Sequence, residues 1–179
     1  TWSYTLNNGL AATQALSGSF NKDFVLHYTM KDADGDTSSS TLTINVKGAN
    51  DGPTVTVETG NPGNANDQVH ESGLDGIGSN GAANTEFATG SFKLSDPDGL
   101  GDVKSVTING GSAILIANLV GTNIAGAHGT LTITGYDAST GVATYSYKLT
   151  SATTDVANVA ETDAFTLTVS DGTSSSAPA

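Results

Sequence analysis

The chain has 179 residues, with 18 Asp or Glu against 6 lysines and no arginine, and a formal charge of −12. A chain that neutralises phosphates needs a basic stripe, so this balance argues against nucleic acid and against an anionic membrane surface as partners. No run approaches the roughly 20 apolar residues of a membrane-spanning helix, and the absence of cysteine leaves disulfides out of the account.

The 22 glycines, with abundant Ser, Thr and Asn, disfavour helix and suit strands and turns, so the expected class is all-β. Apolar and polar residues alternate repeatedly, as half-buried strands require. "TWSYTL" directs Trp2, Tyr4 and Leu6 to one side, toward an expected core. "FVLHYTM" does the same with Phe24, Leu26, Tyr28 and Met30, leaving His27 toward solvent, and "TLTINV" with Leu42, Ile44 and Val46. The turn-rich stretch "VKGANDGPTV" (46–55) comes next, then "TVTV" (Val55, Val57), "GSFKL" (Phe92, Leu94) and "KSVTI" (Val106, Ile108). "SAILIANL" is continuously apolar and reads equally as a buried strand or a short helical turn. "TLTIT" (Leu131, Ile133), "TYSYKL" (Tyr145, Tyr147, Leu149) and "FTLTV" (Phe165, Leu167, Val169) complete the series.

An internal repeat runs through these strands. "WSYTL…DFVLHYTMKDADGDTSSS" is echoed by "YSYKL…DAFTLTVSDGTSSS", and the second copy reaches "SAPA" where the first continues into "TLTINV". The expected organisation is residues 1–47 as the last three strands of one repeat, 48–53 as a linker, and 54–179 as a repeat lacking its final strand. A bare sheet edge invites association. A closing strand is therefore expected, either "TLTINV" of a neighbouring chain or residues 41–46 themselves.

The segments "ESGLDG" (71–76), "GSFKLSDPDGLGDVKSVTING" (90–110), "GTLTITGYDASTGVATYSYKLTSA" (129–152) and "ETDAFTLTVSDG" (161–172) resemble the immunoglobulin-like repeats of giant bacterial RTX adhesins. Those repeats are related to VCBS and cadherin-like modules. "DADGDTSSSTLTINVKGANDGPTV" (32–55) is similar to the end of one such repeat and the start of the next. The resemblance implies an antiparallel immunoglobulin-like β-sandwich exported by type I secretion to the bacterial cell surface. It also implies tandem stacking on neighbouring repeats, with Ca²⁺ stiffening the linkers and Glu71 of "VHESG" contributing to a calcium site. The glycine-rich nonapeptide array of RTX proteins is absent from the sequence.

Topology then suggests where the acids go. Strands of such a sandwich alternate in direction and its loops gather at two ends. If "TVTV" leaves the linker, the loops "SDPDGLGD", "YDASTG" and "SDGTSSS" all return to it. Asp96, Asp98, Asp102, Asp137 and Asp171 are thereby expected to face Asn50 and Asp51. Calcium takes 6–8 oxygen ligands of this kind. Acids crowded without a cation repel, so an ion would turn a loose joint into a stiff one. Asp155, Glu161 and Asp163 fall at the opposite end and read as a solvated loop.

Asp32, Asp34 and Asp36 of "DADGD" form a further candidate, facing away from the linker. The spacing is not that of an EF-hand: glycine stands at loop position 4 and Thr43 at position 12. His27, His70 and His128 lack paired metal-ligand spacing, and no serine sits in a nucleophile-elbow motif. Catalysis is not expected. Three hypotheses are weighed: a calcium-stiffened structural extender, a calcium-dependent module that binds a carbohydrate or peptide, and, least favoured, a carbohydrate-active enzyme, which would need two opposed acids across a cleft. The repeat pattern favours the extender.

Overall fold

The computed structural model describes residues 2–58, 68–154 and 161–179. The protein is all-β and antiparallel, and divides into two compact units, one ending at Asp51 and the other running from Gly52 to Ala179.

In the first unit, β1 (Asn21–Lys31) and β2 (Thr37–Lys47) pair along their full length. The register sets Phe24 opposite Ile44 and Leu26 opposite Leu42, so the alternating apolar residues of both strands share a face. That face is largely uncovered: Phe24, Leu26, Tyr28 and Met30 are all exposed, while Val46 is buried. Residues 2–6 are outside any strand. The expected strand "TWSYTL" is therefore absent, and Trp2 and Tyr4 are exposed instead of in a core. Alternation marks what a strand would bury, but a strand also needs a backbone ladder; Trp2, Ser3 and Tyr4 share a hollow with Phe24, Leu26, Leu42 and Ile44 without joining one. A short helix, α1 (Ala11–Gln14), precedes β1. Gly48, just after β2, donates its N–H to Phe20 O at 2.9 Å. A Cβ there would collide with the carbonyl oxygens of Leu16 and Ser17, so only glycine fits this close approach.

The second unit is sandwich-like. Its larger sheet contains β3 (Thr54–Glu58), β4 (Phe87–Ser95), β7 (Asn123–Ala125), β8 (Gly129–Asp137) and β9 (Val142–Leu149), in the order β3-β4-β9-β8-β7. The smaller contains β5 (Ser105–Ile108), β6 (Ile114–Leu115) and β10 (Leu167–Ser170), in the order β10-β5-β6. Phe92, Leu94, Leu131, Ile133 and Ala143 from the first sheet pack with Val106, Ile108, Leu167 and Val169 from the second, together with Leu119. "SAILIANL" is a two-residue strand, β6, followed at once by a 3-10 turn, Ile116–Asn118. The strand is not the buried one expected, since Leu115 is exposed, and of this run only Leu119 is buried in the core.

The outer edge of β10 is taken by the C-terminal residues of the same chain. Leu167 and Ala179 exchange N–H···O bonds of 3.0 and 2.9 Å, and Ser176 N–H reaches Val169 O at 2.9 Å. Residues 41–46, proposed above as a closing strand, are paired with β1.

Candidate metal centre

The "SDPDGLGD" loop follows β4, and the "SDGTSSS" turn follows β10. Asp96 opens the first loop and Asp171 the second, both carried directly on the ends of core strands. Asp96, Asp102 and Asp171 each present a carboxylate oxygen within 4.8 Å of the other two. Asp96 and Asp171 are buried, Asp102 half-buried.

Each buried carboxylate organises its own loop. Asp96 Oδ1 accepts the Asp98 N–H at 2.8 Å. Asp171 Oδ1 accepts the N–H groups of Thr173 and Ser174, both at 2.6 Å, and its Oδ2 accepts the Ser174 hydroxyl at 2.8 Å. These are aspartate turns, in which a side chain imitates a backbone acceptor. Asp96 Oδ2, by contrast, is buried with no hydrogen-bond partner. Burial pushes the Asp96 carboxyl above the usual carboxylate range, opposed by the Asp98 N–H and reinforced by the charges of Asp102, Asp98 and Asp171. A buried anion without a partner is costly, and a divalent cation is the partner that three hard oxygens suit. The donor set and the orphaned oxygen thus fit Ca²⁺: Asp96, Asp102 and Asp171 would hold it, and it would neutralise their mutual repulsion.

The remaining expected ligands are distributed as follows. Asp98 lies in the Asp96 loop and its charge is felt there. Asn50 Nδ2 donates to Asp51 O at 3.1 Å at the end of the first unit. In the second unit, a Cβ on Gly52 would stand 3.2 Å from Ser174 Oγ, so the cluster lies where the chain enters this unit. The β8–β9 turn returns to the same end, since Leu94 N–H donates to Gly141 O at 2.9 Å. Gly141 has φ +76°, and a Cβ there would collide with Leu94 O. Yet Asp137 is outside the cluster. Its exposed carboxylate accepts the N–H and hydroxyl of Ser139 at 2.8 and 2.7 Å, and these bonds hold it below the usual carboxylate range.

Glu71 is also outside the cluster. It opens a 3-10 turn, Glu71–Gly73, and accepts the Thr153 hydroxyl at 2.5 Å and the Thr153 N–H. Those bonds lower its pKa, Thr153 being the principal cause. The Thr153 hydroxyl also meets Glu161. In the first unit, Asp32, Asp34 and Asp36 gather within 4.8 Å of one another, all exposed. Asp32 Oδ1 accepts the N–H groups of Gly35 and Asp36 at 3.0 and 2.8 Å.

Asp163, expected in a solvated loop, is instead a half-buried anchor. Its carboxylate accepts N–H groups from Ala127, His128 and Gly129 and the Tyr147 hydroxyl, the last at 2.6 Å. Against the upward pull of burial, the Tyr147 hydroxyl and these amides hold it below the usual carboxylate range. Tyr147 is correspondingly raised by burial and by Asp163. Local composition gave no sign of this role, because the partners come from a turn 36 residues away in sequence. Asp155 lies outside the described residues. Glu86, which sequence reasoning passed over, is fully buried, with Oε2 lacking a partner. Its flank "NTEFA" resembles any exposed turn leading into a strand.

Between the sheets lies a cavity of about 790 Å³, lined by Phe92, Leu131, Tyr145 and Tyr147, with His70 and His128 also on its wall. No protein-family model, no curated protein and no solved structure matches the chain.

Proposed function

We propose that the chain is a calcium-stiffened structural module from a tandem array of immunoglobulin-like repeats, of the kind that holds adhesive domains away from a bacterial cell surface. The observation that carries this reading is the convergence of Asp96, Asp102 and Asp171, with Asp96 Oδ2 buried and unbonded. Acids from separate loops gather at the end where the chain enters the sandwich. Without a cation their repulsion loosens that end; with Ca²⁺ the two loops are tied together. The partners are neighbouring repeats of the same chain, and the setting is extracellular, where modules bind calcium at roughly 0.1–1 mM.

Thermal melting in millimolar CaCl₂ and in excess chelator tests the reading. Chelation is expected to lower the melting temperature by about 5–15 °C. Superimposable melting curves would reduce the acids to turn residues.

A second reading, a module that grips a carbohydrate or peptide, draws on the cavity between the sheets and its two tyrosines. It predicts that oligosaccharide or peptide ligands shift the ring resonances of His70 and His128, while an extender leaves them unmoved.

A further inference from the structure

We propose that Lys104 is a built-in competitor for the cation site: a tethered ammonium that partly neutralises the acids when no metal is bound and lowers calcium affinity. The inference rests on reading Asp96, Asp102 and Asp171 as that site. Lys104 Nζ lies 3.2 Å from Asp102 Oδ1 and donates to Gly101 O at 2.9 Å. A carboxylate oxygen and a backbone carbonyl are the donors a hard cation itself uses. The ammonium therefore draws on the same chemistry as the metal.

Its position is fixed by the sheet. Lys104 N–H donates to Ser170 O at 2.8 Å, and Lys104 O accepts from Ile116 N–H at 3.0 Å, so its backbone is held on both sides. The side chain passes over the turn that carries Asp171, where a Cβ on Gly172 would stand 3.7 Å from Lys104 Cγ. The base is held while the side chain is 50% exposed, so water can replace the contacts of its head. The Lys104–Asp102 ion pair touches the cluster, whereas the Lys148–Asp75 pair, at 3.3 Å, involves none of its three acids.

Neutralisation by Lys104 is incomplete. Asp96 Oδ2 remains without a hydrogen-bond partner while Lys104 contacts Asp102. The site thus retains demand for a cation, but an arriving ion must break the Asp102 contact and meet a like charge. A lysine held for structural reasons alone would weaken calcium binding when removed. A competitor would strengthen it.

Calorimetric titration of the full chain with CaCl₂, for the parent, Lys104→Gln and Lys148→Gln, separates these cases. Lys104→Gln is expected to bind Ca²⁺ roughly three- to tenfold more tightly. Lys148→Gln, which removes the same charge from the Asp75 pair, is expected to change affinity less than about twofold. In chelator, Lys104→Gln is expected to melt below the parent, because the acids lose their internal counter-ion. Equal or weaker calcium binding by Lys104→Gln, or an equal gain in Lys148→Gln, overturns the competitor role while leaving the cation site standing. Absence of calcium binding in all three chains overturns both.

Discussion

The two copies of the repeated strand–turn–strand segment meet different fates. In the first, β1 and β2 form an eleven-residue ladder whose apolar side chains are exposed. In the second, β10 carries the corresponding Leu167 and Val169 into a core built by seven other strands and their connections. The turns differ in the same way. Asp32 and Asp171 both cap their turns by accepting two N–H groups a few residues on. Asp32 has only its own turn's acids beside it, whereas Asp171 meets acids of a loop some seventy positions earlier in the chain. The local code writes the ladder and the capped turn. Burial, and the clustering of charge that burial makes costly, come from what the rest of the unit places against them.

Four measurements break or sharpen this contrast. The largest effect is expected in the core: Ile133→Ala, at a fully buried position, should cost about 3–4 kcal/mol in urea denaturation. Leu26→Ala, on the open face of β1, should cost less than about 1 kcal/mol. Similar costs would mean that the open face is covered in solution.

Next comes Asp163→Ala, which strands three N–H groups and the Tyr147 hydroxyl and should cost roughly 2–4 kcal/mol. Asp163→Asn, which keeps an acceptor, should recover part of the loss.

The turn pair follows. Asp171→Ala should cost about 1–2 kcal/mol in chelator and abolish the calcium response, whereas Asp32→Ala should cost about 0.5 kcal/mol. An Asp32 variant that removed the calcium response would move the site to the first unit.

The smallest effect is on pH. The folded-state pKa of Asp96 is raised, so the folded state holds its proton where the unfolded state releases it. Metal-free stability should therefore decline as pH rises through and above the ordinary aspartate range, and Asp96→Asn should flatten that decline. With calcium the trend reverses, because the bound ion requires the anion. Denaturant titrations from about pH 3 to pH 7, with and without chelator, read both slopes.

Much of the fold was legible in the sequence because strand alternation is a local signal. "FVLHYTM", "TLTINV" and "GSFKL" all fall within observed strands. "TWSYTL" misled because its alternation matches theirs while its backbone joins no strand ladder. The convergence of Asp96, Asp102 and Asp171 was accessible by counting strand directions, since a loop's end of the sandwich follows from parity. The same count places Asp137 at that end and cannot say that Ser139 occupies its carboxylate. Asp163 and Lys104 were not legible. Their roles depend on which backbone groups or carboxylates stand opposite them, and that is set by sheet packing over long sequence separations.

The carboxylate of Asp163 ties the turn before β8 to the approach to β10. This fastener is a set of hydrogen bonds to a charged carboxylate, and it is acid-labile. Its folded pKa is depressed, so its contribution is present above the ordinary aspartate range and fades as pH falls through the lower value. Acidification therefore undoes this clasp while sparing Asp96 its charge, so the metal-free sandwich has two ends that respond to a proton in opposite senses.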